Sequence, residues 1–158
     1  MTRWPGAARI VALLPGLVAA GACAAGCVHV DAYREDPARA LVTADAPDAT
    51  FAVTYIHSVT RTPVIERYRI AGDVIVQTEI DFQQHGPGLP TEPDAGGTFT
   101  QREGAMVMTL ARPFAEVVMR VHRDQSPRLL VDGRSIDLAA FGNRAVALHA
   151  SAQSCAAG

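Results

Sequence analysis

FAVTYIHSVTRTPVIERYRIAGDVIVQTEIDF, running from Phe51 to Phe82, spells one apolar face three times. Strict alternation puts Phe51, Val53, Tyr55, His57 and Val59 on one side of a first strand. Val64, Glu66, Tyr68 and Ile70 share one side of a second strand, with Ile65, Arg67 and Arg69 on the other. Val74, Val76, Thr78, Ile80 and Phe82 form the same face of a third. With Thr60–Pro63 as a four-residue loop and Ala71–Asp73 as a three-residue loop, the faces align. This register sets Val59 against Val64, Tyr55 against Tyr68 and His57 against Glu66. A slip of one residue would turn an apolar set to solvent.

An inward His57–Glu66 pair has two readings. In one it is structural, each group satisfying the other because a buried charge needs a partner. In the other it faces a ligand, as a general base or a carboxylate sensor does.

Outward from this meander, strand signals recur at Ala40–Thr43, Ala105–Leu110 and Glu116–His122. Leu129–Val131 runs into Asp132-Gly133, the strongest short hairpin signal in the chain, which pairs Val131 with Arg134 and Leu129 with Ile136. Ala145–Ala150 supplies a last strand with Val146 and Leu148 inward. A short helical turn fits within Ser135–Asn143. Seven or eight short strands predict an all-β, antiparallel sandwich or open barrel. Gln83–Gly104 breaks the periodicity with a Gly- and Pro-rich stretch, a loop length that is often functional.

The first 30 residues read differently. Arg3 and Arg9 precede an apolar Ile10–Ala25 run, and no acidic residue occurs before Asp31. That is the layout of an export signal or an N-terminal anchor. Ala22-Cys23-Ala24 fits a cleavage site, Ala24-Ala25-Gly26-Cys27 fits a lipoprotein box with Cys27 lipidated, and Ile10–Val30 is long enough for a retained span. All three place the rest of the chain outside the cytoplasm, on the periplasmic side of the cytoplasmic membrane. The expected organisation is a signal or anchor over 1–27, a spacer over 28–40, one domain over 41–150 and a disordered tail over 151–158. Cys155 is left without an expected partner, which argues against a disulfide framework.

Charge and motifs exclude several classes. Beyond the signal, 12 Arg face 16 acidic residues, a balance near −4 with no Lys and no basic stripe, so nucleic acid is not an expected partner. Ser58 follows His57 directly and points to the opposite face, so the two do not make a nucleophile–base pair. His85, His122 and His149 lack ligand spacing, and Gly86-Pro87-Gly88 follows no βα unit, so neither a metal nor a nucleotide cofactor is expected. No enzyme activity is expected.

Tyr55-x-His57-Ser58, Pro63-Val64, Glu66, Tyr68, Phe82 and Gly86-x-Gly88-Leu89-Pro90 together resemble the bacterial domain of unknown function 1850. Asp132-Gly133 and Ile136-Asp137-Leu138 fit its later part, and the resemblance covers Leu41–Leu148. It implies a small exported or membrane-anchored protein encoded beside tripartite ATP-independent periplasmic transporters of the TAXI type, with no established activity. The function implied is an accessory or binding module beside such a transporter. The alternative is a structural envelope lipoprotein without a small-molecule ligand. In the first case the residues of the motif gather at one end of the sandwich.

Overall fold

The alternation of Phe51–Phe82 does become three antiparallel strands, within a chain that a computed structural model describes over residues 25–35 and 40–155. The strands are β1 Gly26–Ala32, β2 Val42–Ala46, β3 Thr50–Ile56, β4 Pro63–Ala71, β5 Val74–Phe82, β6 Phe99–Arg102, β7 Ala105–Phe114, β8 Val117–Val121, β9 Arg128–Val131, β10 Arg134–Asp137 and β11 Arg144–Ser151. They form a four-stranded sheet ordered β2-β1-β11-β8 and a seven-stranded sheet ordered β10-β9-β3-β4-β5-β7-β6. Every pairing is antiparallel and neither sheet closes on itself, so the fold is an open sandwich with more strands than expected.

The main core lies between the sheets. Val28, Val30, Val146 and Leu148 meet Phe51, Val53, Tyr68, Ile75, Leu129 and Val131, all nearly inaccessible. A second core of Val64, Ile80, Phe82, Leu89, Met108 and Leu110 fills the other part of the large sheet, and Tyr55 packs against both. Leu89 reaches it from the Gly- and Pro-rich loop, whose far part is pinned where Arg112 grips Asp94 through three N–H···O contacts of 2.7–3.0 Å. That grip, chiefly the hydrogen bonds from Arg112, holds the Asp94 carboxyl below its ordinary range.

The expected register of the first hairpin is wrong by four residues. Phe51 pairs with Tyr68, Val53 with Glu66 and Tyr55 with Val64, so neither Tyr55–Tyr68 nor His57–Glu66 is formed. An even shift leaves every side chain on its own face, so alternation cannot detect it. The strand instead ends at Ile56, and a loop over 57–62 replaces the expected Thr60–Pro63 turn. Val59, expected inside, is exposed.

The second hairpin is corrected too. Ala71 pairs with Val74 across a two-residue turn in which Gly72 takes a positive φ of 67°. A bulge then adds Thr78 to β5, its hydroxyl donating to the Arg67 carbonyl at 3.2 Å. The bulge switches faces: Ile75 and Gln77 are buried before it, Ile80 and Phe82 after it, and Val74 is exposed.

Two strands are unanticipated. β6 is entirely exposed and carries no apolar alternation. β1 occupies the start of what was expected to be the spacer, where Val28 and Val30 continue the apolar run of the N-terminal segment. The expected signal or anchor lies outside the described residues for its first 24 positions. Its end does not: Cys27 is buried in β1 and disulfide-bonded to Cys155, with Cα atoms 4.9 Å apart. The sulfur expected to carry a lipid is therefore already bonded, and Cys155 has a partner after all. The tail over Ser151–Cys155 is tied down accordingly, with the Cys155 N–H donating to Asp45 Oδ1 at 2.7 Å. The expected helical turn is a 3-10 turn, Leu138–Phe141, capped by Asp137.

Candidate functional site: a Tyr–Glu–Tyr cluster and a histidine clamp

β3 and β4 carry the residues of interest, and the observed register sorts them into two groups. Glu66 faces inward on β4 beside Tyr68, two positions along the same face, while Tyr55 comes from β3. Tyr55 Oη donates to Glu66 Oε1 at 2.9 Å, and Tyr68 Oη donates to Oε2 in a short contact. Each carboxylate oxygen thus receives one phenol proton. Both hydroxyls are pushed well above the ordinary tyrosine range, first by burial and then by the charge and hydrogen bonding of Glu66. The phenols therefore act as fixed donors and not as acids or bases near neutrality. Tyr68 also stacks on Phe51, ring centroids 5.0 Å apart.

No Lys, Arg or His is ion-paired with Glu66 among the described residues. Its carboxylate lies on a cavity of about 250 Å³ that opens between the sheets at β8, an edge strand. Tyr55, Val117, Val118, Met119, Arg120 and Gln125 complete the lining. A carboxylate so placed can accept a further donor from a ligand without losing either phenol.

His57 belongs to the other group. Its Nδ1 accepts the backbone N–H groups of Val59 at 3.3 Å and Thr60 at 3.2 Å, which assigns the proton to Nε2. Nε2–H then donates to the Pro87 carbonyl at 3.1 Å. The ring is buried, and it builds the loop over 57–62 while holding the Gly86–Pro90 segment against it. Gly86 is required there: a Cβ would stand 2.7 Å from His57 Cε1. Gly88 takes a positive φ of 88°, and Leu89 N–H closes the turn onto the Gly86 carbonyl at 3.1 Å.

Phe82 and Leu89 are buried in the second core, with His85 set edge-on to the Phe82 ring at 5.0 Å. Pro90 is half-buried and Ser58 exposed. Tyr55, touching both cores, is the link between the carboxylate and the clamp. The disulfide left no signal in the sequence, since three cysteines at unrelated spacings define no pairing.

Fold and site together define an antiparallel sandwich stapled by one disulfide, with a phenol-held carboxylate on the central strand of its larger sheet. The model of the family described as Domain of unknown function (DUF1850) matches residues 51–138, more than half of the chain, and the chain belongs to that family. The matched span holds nearly all of the seven-stranded sheet together with β8, and leaves β1, β2 and β11 outside. Comparison with curated proteins and with solved structures gives no match.

Proposed function

We propose that this protein is an exported, non-enzymatic binding module that works at the outer side of the cytoplasmic membrane beside a TAXI-type transporter. The observation that carries the reading is Glu66: a carboxylate held by the buried Tyr68 and the half-buried Tyr55, with no ion pair among the described residues, on an open cavity. The two phenols occupy one site on each oxygen and leave the charge itself unneutralised, although Arg120 lines the same cavity. The Cys27–Cys155 disulfide supports the location, because such bonds persist in oxidising compartments and are rare in the cytosol. With that sulfur engaged, anchoring falls to the N-terminal segment itself and not to a lipid on Cys27.

The histidine clamp favours the alternative, a structural envelope protein, for one part of the motif. Both His57 nitrogens are spent on backbone groups, leaving nothing to offer a ligand. Co-purification of the tagged chain with co-expressed transporter subunits separates the two readings. Retention of the subunits by the parent chain, and their loss in a folded Glu66→Gln variant, supports the binding module. Equal retention by both chains shows that Glu66 takes no part, and no retention by the parent supports the structural reading.

A further inference from the structure

The outward face of the large sheet carries a second feature, unrelated to Glu66. Adjacent residues of a strand point to opposite faces, so Arg67 and Arg69 of β4 stand outside while Glu66 and Tyr68 stand inside. Across the sheet, Ala52 of β3 lies between Arg67 on one side and Leu130 of β9 on the other, and Thr50 lies beside Arg69. β3 thus presents short side chains between neighbours that present long ones. The β9–β10 hairpin, turning at Asp132-Gly133, forms the opposite wall. The result is a trough of about 580 Å³ along β3, within the size range of small-molecule sites.

Its floor is largely apolar and one wall is cationic. Arg67 and Arg69 stand on it, against Asp132 as the one acidic lining residue, whereas Arg134, paired with the buried Val131, belongs to the inward face of β10. Arg67 is already engaged, its Nη1 bonded at 2.8 Å to both Glu79 and Asp81 on β5. Arg69 makes no ion pair among the described residues. Guanidinium forks match carboxylate geometry, and a floor such as Ala52 and Leu130 rewards an apolar body. Asp132 at the rim, with Glu79 and Asp81 behind Arg67, repels any further negative charge.

We infer that this trough binds an organic monocarboxylate with an apolar body, its charge held by Arg69 and its chain laid over Ala52 and Leu130. The inference does not rest on the transporter reading, and co-purification does not bear on it. The test is calorimetric titration of the full chain with hexanoate, with acetate, hexanol and inorganic phosphate in parallel. Saturable hexanoate binding is expected, with acetate and hexanol each at least about tenfold weaker. Arg69→Gln should weaken hexanoate roughly tenfold, as expected on removing a hydrogen bond to a charged group. Ala52→Leu, which fills the floor without altering charge, should weaken it too, while Arg102→Gln on β6 should not. Thermal melts confirm that each variant is folded. Hexanol binding as well as hexanoate would overturn the charge assignment, and phosphate binding as well would overturn the apolar floor. Absence of saturation, or unchanged affinity in Arg69→Gln and Ala52→Leu alike, would overturn the site itself.

Discussion

Two hairpins in the same sheet differ in how their register is specified: a turn dipeptide predicts β9–β10, whereas alternation alone predicts β3–β4, and only the first prediction holds. Asp132-Gly133 was expected to pair Val131 with Arg134 and Leu129 with Ile136, and both pairs occur. Both turn residues take positive φ, 49° and 68°, as a type I′ turn requires. The β3–β4 hairpin has no such dipeptide. Its turn is built by a side chain, His57, which caps two backbone N–H groups and lets the chain run over 57–62 before pairing resumes. Backbone-coded turns announce their register locally, whereas side-chain-coded turns do so only once the receiving groups are known.

The largest effect should come from testing the observed register through Glu66. Glu66→Ala leaves the Tyr55 and Tyr68 hydroxyls without their acceptor, and should destabilise by about 3 kcal/mol in denaturant titration. A double-mutant cycle discriminates the two registers. Glu66→Ala with Tyr68→Phe should lose less than the sum of the singles, while Glu66→Ala with His57→Ala should be additive. Coupling to His57 in place of Tyr68 would restore the pairing that alternation alone suggested.

The same cluster predicts an alkaline limit. Tyr55 and Tyr68 are raised above the value of 10.0 that they have as free side chains. The unfolded chain then releases their protons first, so stability is intact below pH 10 and falls as pH rises beyond it. The expected loss is about 1 kcal/mol per tyrosine for each further pH unit. Unfolding measured at pH 8 and pH 11 should show it, and the Tyr55→Phe/Tyr68→Phe chain should show clearly less.

His57 should divide into two functions. His57→Ala removes the cap and the clamp together, at about 2 kcal/mol. His57→Asn places Oδ1 where Nδ1 stood, so it keeps the cap and loses the contact with the Pro87 carbonyl. Amide exchange should then quicken in the Gly86–Pro90 segment and not at Val59 and Thr60. Exchange quickening equally at both would mean that cap and clamp are one unit.

What was legible follows the same division. Inward positions of β3 and β4 were readable from period-two patterning, as were the all-β class and the inward Val146 and Leu148 of β11. The face switch in β5 was not, because the bulge at Thr78 depends on a hydroxyl meeting the Arg67 carbonyl across the sheet. Nor was β1, whose alternation merges with the apolar segment before it. For the site, alternation places Glu66, Tyr68 and Tyr55 on one face but pairs Glu66 with His57, where the structure pairs it with the two tyrosines. A one-dimensional pattern specifies the face a residue occupies, and the neighbour it meets there depends on how the turns close. The trough on the outer face shows the limit from the other side. Thr50 and Ala52 look featureless until Arg67, Arg69 and Leu130 are placed beside them.

The smallest effects bear most directly on how the two turns differ. Gly133 takes φ of 68° at no steric cost, and Gly133→Ala should destabilise by about 1 kcal/mol. In the His57 loop the comparable position is held by Arg61, a residue with a Cβ, at φ of 57°. Its N–H returns to the His57 carbonyl at 2.9 Å, so the conformation is imposed by loop closure. Arg61→Gly relieves that strain while adding freedom to the unfolded chain, and the two terms nearly offset. The ion pair it removes, Arg61 with Asp124 at 3.6 Å, is exposed at both ends and contributes little. A net gain of about 0.5 kcal/mol is expected, opposite in sign to Gly133→Ala. A loss in Arg61→Gly matching that of Gly133→Ala would show that the His57 loop carries no strain at Arg61, and that side-chain capping specifies its turn as economically as Asp-Gly specifies the other.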